Sequence, residues 1–541
     1  MAQTEDQVSV EGALEHLVNQ FSDPLSFLRE LVQNSIDAGS REVDVRFELV
    51  EGEGDRHTMI IHVDDYGEGM DREIIDTKLT RLFSSSKDGD LTKIGRFGIG
   101  FASVFAIGPD AVCLDTSRGG ESWRVLFHRD RTFSRIERDE PVEGTKVQVV
   151  KAITGPEFEA TRRRARDVIS YWCKHVDVEL RFDGEQVNQP FDLDLPVKVS
   201  SGPEETDATV VAGYTRDGSS FAGFYNKGLT LLETAESDYP GVAFKVSSRY
   251  LEHTLTRDTV LHDESYSKAL GIVDRLVRGP LIERLFELLD ASVRGSVRRS
   301  GDEAFLQGLV ALHLAAETPL PSSTLERAIL RTTAGRPVDL EECLRAAAKD
   351  RLLRAAAASP LTDALEARGY VVASTKRSTN ALLASLRRDG AKPALAAATF
   401  CLPLLVDDPD LLARWAPLRD TTEGLLRGAG AKVAGLELGR LGYEGSGAAG
   451  WPAVSQRVAG ELTPCDEARV LGRSLLSRKR VLVVNADHAT VARLIALAPR
   501  EPELAAYTLA KLFFLGRQLD PELDSRLAAL AIASRCRRQA S

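Results

Sequence analysis

The sequence predicts an α+β protein built from more than one domain. Within the first 150 residues, short runs rich in β-branched residues alternate with segments of helical periodicity. Beyond residue 300 the composition shifts to alanine, leucine and arginine in helical patterns. A chain of 541 residues is too long for a single hydrophobic core. We therefore expect an α/β sandwich domain at 1–185, an α/β middle domain at 186–395 and a mainly helical C-terminal region at 396–541.

The same patterns predict the individual elements of the first two domains. In the first domain we expect strands at 43–50, 58–65, 110–117, 122–129 and 144–151, then a helix at 156–174 and a strand at 176–184. The helix carries the basic run RRRAR, which we interpret as a solvated face rather than a nucleic-acid patch. In the middle domain we expect strands at 210–215, 221–228 and 242–248, followed by a helix at 274–289.

Three segments of the last 240 or so residues depart from a plain helical pattern. Residues 336–375 indicate helices and one strand, and residues 479–498 indicate a strand running into a helix. The glycine-rich stretch LGYEGSGAAGWP (441–452) contains a formal GxGxxG, but we see no strand before it in the sequence, and Trp-Pro ends it. We therefore interpret it as a linker and not as a dinucleotide-binding loop.

Composition and charge restrict the classes of function. The net charge of −11 argues against broad capture of nucleic acid, although a local basic groove is still compatible with it. Six cysteines without a CxxC pair exclude the usual zinc spacings and fit a reducing compartment. The polar start is no signal peptide, and the most apolar run, 394–406, is too short to span a membrane. We expect a cytoplasmic protein without a membrane segment.

The segment SFLRELVQNSIDAGSREV (26–43) has the pattern of an amphipathic helix with an unusual polar side. Its apolar residues fall in one arc, whereas Glu30, Asn34 and Asp37 lie close together on the opposite side. A solvated helix face usually mixes lysine with glutamate, and this line holds two acids and an amide. By itself the line is compatible with an acidic surface stripe or with a binding site.

Two glycine-containing motifs follow this helix. In DDYGEGM (64–70), a carboxylate lies beside glycine backbone at the end of a strand. An adenine ring could lie against Gly67 and Gly69 while Asp65 accepts a hydrogen bond from its exocyclic amine. In IGRFGIGFASVFAIG (94–108), a glycine-rich loop opens a short apolar helix, where backbone N–H groups can hold phosphates. Taken singly, the first motif is compatible with an acidic turn and the second with a flexible loop.

The order RELVQNSIDA, DDYGEGM, GRFGIGF and GTKVQVV resembles the GHKL ATPase superfamily of gyrase, ninety-kilodalton heat-shock chaperones, histidine kinases and MutL. FLRELVQNSIDA and IGRFGIGFASVF are most similar to the heat-shock chaperones of the HtpG type. The resemblance implies a Bergerat-type α/β sandwich for residues 1–185 that binds ATP and Mg²⁺. It also implies a transducer-like middle domain.

The resemblance also implies roles for single residues. Asn34 would ligate Mg²⁺ through its amide oxygen, and Glu30 would orient and deprotonate the attacking water. Residues 80–93 would form a lid, in which Lys87 either reaches a phosphate or is solvated. The other nucleotide contacts are expected at Asp37, Asp65, Gly67, Gly69, Met70, Gly95, Phe97, Gly98, Gly100, Phe101 and Thr145.

A second cation is expected to reach the γ-phosphate from the middle domain. Residues 241–270 resemble the chaperone middle domain, where an arginine contributes to catalysis, and Arg257 in LTRDTV is the first candidate. MutL-type relatives use a lysine from their second domain, which leaves Lys227 in FYNKGLTLLE as the alternative. A surface arginine paired with Asp258 or Glu252 is the non-catalytic interpretation of Arg257.

The sequence therefore predicts an ATPase acting as a chaperone-like clamp, with client proteins as partners and a homodimer formed through residues 396–541. A MutL-like or gyrase-like DNA machine shares this ATP site, but the acidic net charge argues against it. A histidine kinase would need a phosphorylated-histidine helix before the ATP domain. A nucleotide-gated binding module with little turnover is the alternative from a different class, and Glu30 argues against it.

Overall fold

The computed structural model describes residues 23–80, 99–202, 207–252, 259–295, 300–375, 379–471, 479–514 and 520–540. The chain divides into two compact units, Met1–Leu281 and Ile282–Ser541. The division into three domains expected from the sequence stays a prediction. Within the described ranges, no helix is both long enough and apolar enough to cross a membrane.

The first unit contains strands and helices in alternation. Its strands are β1 (Glu42–Val50), β2 (His57–Asp65), β3 (Ala111–Arg118), β4 (Glu121–His128), β5 (Phe133–Glu137), β6 (Thr145–Ile153), β7 (Glu179–Phe182), β8 (Glu185–Gln186), β9 (Lys198–Ser200), β10 (Thr209–Tyr214), β11 (Phe221–Asn226), β12 (Leu229–Thr234) and β13 (Val242–Ser247). Its helices are α1 (Phe27–Asp37), α2 (Arg72–Ile74), α3 (Ile99–Ala102), α4 (Gly155–Trp172) and α5 (Glu264–Arg278). A π-helical turn (Ile75–Leu79) follows α2, and a 3₁₀ turn (Ser103–Ile107) follows α3. These bounds confirm the strands predicted before residue 250 and the helix predicted at 156–174.

A large mixed sheet forms the centre of this unit, in the order β5-β4-β3-β6-β2-β1-β7-β8. Its strands pair antiparallel except for β1 and β7, which run parallel. Alternate residues of β1, β2, β3, β4, β6 and β7 enter one hydrophobic core, as expected for a sheet with one covered face. Helices α1 and α4 supply Leu28, Val32 and Ile169 to that core, so they lie on the same face of the sheet.

Helix α4 begins at a favourable sequence signal and carries the basic run. The Glu157 carboxylate accepts a hydrogen bond from the Thr154 backbone N–H at 3.0 Å, which satisfies a donor at the helix start. Three of the four arginines of the run pair with acids, in the pairs Arg162–Asp183 (2.6 Å), Arg164–Asp23 (3.2 Å) and Arg166–Glu185 (2.5 Å). This pairing supports the interpretation of the run as a solvated face.

A smaller sheet follows in the order β12-β11-β13-β10-β9. Helix α5 packs on it, and Ile272 and Val273 share a core with Phe224 and Phe244. The β11–β12 hairpin closes through a two-residue turn at Lys227 and Gly228, whose φ angles are 48° and 81°. Positive φ at both positions is the requirement of a type I′ turn, which suits the twist of a hairpin.

The helix predicted at 274–289 is wrong as a single element, because the structure has two helices there. Helix α5 ends at Arg278, and a new helix, α6, covers Pro280–Val293. Pro280 lacks a backbone N–H and disfavours helical geometry at the preceding residue. Gly279 accordingly has φ −125° and ψ −88°, outside the helical region.

The second unit has the remaining helices and several small sheets. Its helices after α6 are α7 (Ser300–Ala315), α8 (Leu340–Ala348), α9 (Pro360–Glu366), α10 (Thr379–Ser385), α11 (Ala396–Thr399), α12 (Pro409–Gly428), α13 (Cys465–Ala468), α14 (Ala489–Leu497), α15 (Pro502–Leu512) and α16 (Pro521–Ala540), with a 3₁₀ turn at Ser322–Thr324. Its strands are β14 (Ala328–Arg331), β15 (Pro337–Asp339), β16 (Leu352–Ala355), β17 (Val371–Ser374), β18 (Phe400–Cys401), β19 (Leu404–Leu405), β20 (Val433–Arg440), β21 (Ala453–Gln456), β22 (Thr463–Pro464) and β23 (Arg480–Asn485).

The sheet β19-β20-β23-β21 lies in the C-terminal part of this unit. Its core joins Leu436 and Leu482 to Trp415 of α12, Leu494 of α14 and Leu509 of α15. Strand β23 followed by α14 confirms the prediction for residues 479–498. Residues 336–375 contain three strands where one was predicted: β15, and the parallel pair β16 and β17.

The glycine-rich stretch at 441–452 is a packed turn and not a linker between subregions. It joins β20 to β21 of the same sheet, so a strand does precede it. Leu441 and Ala448 are fully buried, and the Asn485 side chain donates to the carbonyl oxygens of Ala449 and Trp451 at 3.0 Å. A strand follows the turn, whereas a dinucleotide-binding loop would open a helix.

Candidate nucleotide site

Helix α1 carries the predicted catalytic and metal-binding side chains. All its residues from Phe27 to Val32 are buried, because the helix contacts α3, α4 and β2 at once. Asn34 and Asp37, in its last turns, are exposed. The polar side of the helix therefore runs from an enclosed carboxylate to an open amide.

Glu30 lies in the enclosed part and is only 8% exposed. Its Oε2 atom lies 3.0 Å from the point that a Cβ atom of Gly100 would occupy, so a side chain at position 100 would crowd the carboxylate. The structure thus brings together two predicted site residues that are 70 positions apart in the sequence.

A buried thiol and a buried arginine belong to the surroundings of Glu30. The thiol of Cys173 is fully buried, and burial raises its pKa to about 12, with Arg29 lowering and Glu30 raising that pKa. The Arg29 guanidinium lies over the Trp172 ring, 4.9 Å from its centroid. An enclosed glutamate is one of the side chains that can act as a general base.

Asn34 stays the predicted oxygen ligand for a cation. Its side chain is exposed one turn after Glu30, on the same side of α1. Among the residues that the structure describes, no cluster of three histidine, cysteine or acidic side chains is arranged to hold a metal ion. A single amide fits Mg²⁺ that takes its other ligands from phosphates and water.

Asp65 ends β2 and is held by donors from three segments. Its Oδ1 accepts from the backbone N–H groups of Gly67 (2.9 Å) and Thr145 (3.2 Å), and its Oδ2 accepts from Ser35 Oγ (3.3 Å). Burial raises the pKa of Asp65 above its ordinary 3.8, and these hydrogen bonds partly lower it again. Sequence reasoning missed Ser35, although it lies in the same motif as Asn34.

Thr145 and Thr116 form a second polar group beside Asp65. Thr145 pairs with Asp65 across β2 and β6 and with Thr116 across β3 and β6. The two threonine Oγ1 atoms are 3.1 Å apart, and Thr116 Oγ1 also accepts from the Met70 backbone N–H at 2.8 Å. Sequence reasoning missed Thr116, because only the strand register shows that it faces Thr145.

The two glycines of DDYGEGM are required by the packing of the protein itself. A Cβ at Gly67 would lie 2.7 Å from Ala38 O, and one at Gly69 would lie 2.2 Å from Ser117 O. Gly69 also has a φ of 64°, which favours glycine. Their contact with an adenine ring stays a prediction.

Of the other predicted site residues, two pack in the core of the domain and one forms an ion pair with helix α1. Phe101 is buried in the core with its ring centroid 5.3 Å from that of Phe127, and Met70 packs on the same core. Lys227 Nζ lies 2.9 Å from Asp37 Oδ1. Five predicted site residues lie outside the described residues, as does the lid after Thr80: Lys87, Gly95, Phe97, Gly98 and Arg257.

Most of the residues described for this site lie within a segment that matches a known protein family. Residues 24–157 match the family described as histidine kinase-, DNA gyrase B-, and HSP90-like ATPase. These residues include α1, Asp65 and Thr145, and they form an ATPase domain of the GHKL superfamily, as the order of the motifs predicted.

The longer similarity is to proteins named chaperone protein HtpG. The HtpG of Chlorobium luteolum is 29% identical over 196 residues, which cover 31% of this chain and 31% of that protein. The HtpG of Rhodospirillum rubrum is 27% identical over 211 residues, which cover 33% of each chain. The chain thus spans about a third of the length of the curated relatives it matches.

Proposed function

We propose that this chain is an ATP-hydrolysing, chaperone-like clamp in which bound nucleotide controls the closure of its domains. The observation that carries the proposal is the division of α1 into an enclosed Glu30 beside Gly100 and an exposed Asn34 one turn later. These positions suit a general base and a metal ligand, respectively.

In this proposal the chain's own residues divide the work on the nucleotide. Asp65 accepts a hydrogen bond from the adenine amine, with Thr145 beside it. Asn34 supplies an oxygen to Mg²⁺, which when bound neutralises phosphate charge. Glu30 orients the attacking water and takes its proton. A residue from the second sheet or its following segment, Arg257 or Lys227, approaches the γ-phosphate.

The similarity to proteins named chaperone protein HtpG supports the chaperone-like class. The proposal includes client proteins as partners, a homodimer as the working form and the cytoplasm as the location. A DNA-associated machine has less support, because the net charge is −11 and the basic run of α4 pairs with acids. Suppression of protein aggregation and binding of DNA, each measured with and without ATP, would separate these two classes.

The catalytic assignment is tested by substitutions on α1. Glu30→Ala should leave ATP affinity within about threefold of the unaltered protein and reduce phosphate release at least ~100-fold, the usual contribution of a positioned general base. Asn34→Ala should weaken Mg²⁺-dependent nucleotide binding itself. Titration calorimetry measures the affinity, and a phosphate-release assay measures turnover.

Glu137→Ala is a suitable control, because Glu137 is an exposed glutamate on β5 of the same domain. It should leave both quantities unchanged. A Glu30→Ala protein that hydrolyses ATP at the unaltered rate would refute the role of Glu30. If the unaltered protein binds ATP without measurable turnover, the nucleotide-gated binding module takes the place of the ATPase.

A further inference from the structure

Thr116 lies where strands β3 and β6 meet the loop that follows Asp65. It is fully buried on β3, and its Oγ1 lies within hydrogen-bond distance of Met70 N (2.8 Å), Thr145 Oγ1 (3.1 Å) and Gly144 O (3.2 Å). Met70 belongs to the loop after Asp65, Thr145 begins β6, and Gly144 directly precedes that strand. One hydroxyl group therefore connects all three segments around the proposed adenine position.

The chemistry of these partners restricts the direction of each hydrogen bond. A backbone N–H can only donate and a carbonyl can only accept, so Thr116 accepts from Met70 and its single proton goes to Gly144 O or to Thr145 Oγ1. In the first case the Thr145 hydroxyl can donate to Thr116. In the second case the Thr145 proton is available to a ligand.

Asp65 has no such freedom. When ionised it can only accept hydrogen bonds, and backbone donors from Gly67 and Thr145 fix its Oδ1. The pair Asp65–Thr145 thus combines a fixed acceptor with a hydroxyl whose direction depends on Thr116. Such a pair matches the amine donor and the ring-nitrogen acceptor at the edge of adenine.

We propose that Thr116 is a positioning residue that sets the direction of the Thr145 hydroxyl and anchors the Met70 loop for recognition of the adenine base. This inference rests on the proposed nucleotide site and adds to it a determinant of base specificity. Thr116 acts through Thr145 and Met70 and is not itself expected to contact the nucleotide. Its loss should therefore reduce affinity and base discrimination, but not the chemical step.

The test compares Thr116→Val, which removes the hydroxyl at nearly constant volume, with Thr116→Ser, which keeps it. Titration calorimetry gives the affinities for ADP and GDP, and phosphate release at saturating ATP gives kcat. Thr422→Val is the matched control, because Thr422 is also fully buried and donates to a backbone carbonyl, Leu418 O, in the second unit.

We expect Thr116→Val to bind ADP about tenfold more weakly and to lower the preference for ADP over GDP, in line with the loss of one or two buried hydrogen bonds. Thr116→Ser should stay within about twofold of the unaltered protein, and kcat should be nearly unchanged in both. Thr422→Val should change none of these quantities.

Two results would overturn the inference. One is an ADP affinity of Thr116→Val within twofold of the unaltered protein. The other is an equal loss in Thr116→Ser and Thr116→Val, which would assign the effect to side-chain size. Failure of the unaltered protein to bind ADP would instead refute the proposed nucleotide site, so the two failures are distinguishable.

Discussion

At the scale of single residues, Asp65 combines opposing influences on one carboxylate. Burial raises its pKa, whereas the donors Gly67, Thr145 and Ser35 favour its charged form. The proposed hydrogen bond from the adenine amine requires that charged form. Nucleotide affinity should therefore fall as the pH falls through the pKa of Asp65, which lies above 3.8.

A substitution at Ser35 tests this dependence on pH. Ser35→Ala removes a donor that lowers the pKa of Asp65, so its pKa should rise further. The loss of ADP affinity on acidification should then begin at a higher pH than in the unaltered protein. Measuring both proteins by calorimetry over the same pH series cancels the titration of the nucleotide.

Ser134→Ala, at an exposed serine on β5, is the control for this experiment. Circular dichroism at each pH limits the comparison to conditions where both proteins stay folded. If the two affinity curves coincide, Ser35 has no influence on the titrating carboxylate.

Motif order predicts that Glu30, Asn34, Asp65 and Thr145 belong to one nucleotide site, and their contacts with a nucleotide stay a prediction. The contacts between Asp65 and Thr145 agree with that prediction. Thr116 was not predictable, since its role depends on a strand register that local sequence does not encode. The packing of Phe101 in the core likewise depends on distant partners.

At the scale of elements, the β11–β12 hairpin brings Lys227 to helix α1. The ion pair between Lys227 and Asp37 is largely exposed, so it contributes little to holding the hairpin. Backbone contacts hold it better: the His175 N–H donates to Gly228 O at 3.0 Å, and Thr230 Oγ1 donates to Tyr171 O at 2.6 Å. The hairpin is thus docked on the end of α4.

Because the hairpin brings Lys227 beside α1, Lys227 stays the alternative to Arg257 for the predicted contact with the γ-phosphate. We expect Arg257→Ala to lower kcat at least ~10-fold with nearly unchanged ATP affinity, since a catalytic arginine finger typically contributes about 10³–10⁵-fold. Lys227→Ala should have the smaller effect on kcat. Phosphate release at saturating ATP, with calorimetric affinities for each variant, measures both.

The relative size of the two effects decides the assignment. If Lys227→Ala lowers kcat more than Arg257→Ala does, Lys227 is the residue that contacts the γ-phosphate. Unchanged turnover in both variants would exclude both side chains from catalysis. Arg249→Ala is a suitable control, because Arg249 lies over the Tyr250 ring near the same sheet.

Local sequence patterns predicted most strands of the large sheet, but they missed a break between two helices and short strands such as β16. Period-two alternation was sufficient for β1, β2, β3, β4 and β6, whose inner faces fill the core. Helical periodicity was not sufficient at Gly279, where one helix ends and the proline that follows starts another. The short strand β16 was missed because its pairing with β17 supplies what its four residues alone do not.

At the scale of the whole molecule, the prediction of a dimer through residues 396–541 has to account for where the apolar helices point. In α15, Ala505, Ala506, Leu509 and Ala510 are buried in the core of their own unit. On α16, Ile532 is 64% exposed, so apolar surface remains for a partner. The dimer stays a prediction, with α16 as its candidate surface.

Light scattering on the full chain at micromolar concentration tests the dimer. We expect a dimer that Ile532→Glu weakens, because a charge would be buried in an apolar contact. Ile136→Glu is the control, since Ile136 is 52% exposed on β5 of the other unit. A monomeric unaltered chain would contradict the dimer, and equal masses for all three proteins would exclude α16 as the surface.

The parallel partner of β1 has a consequence for where the ATPase domain can be cut. Similarity to the ATPase family ends at residue 157, inside α4, yet β7 covers the free edge of β1, and Asp183 accepts from the Phe47 backbone N–H at 2.9 Å. A fragment cut at 157 would expose that row of unpaired backbone groups, and such an edge invites pairing between chains and aggregation. The segment that matches the ATPase family is therefore shorter than the segment whose strands complete the sheet.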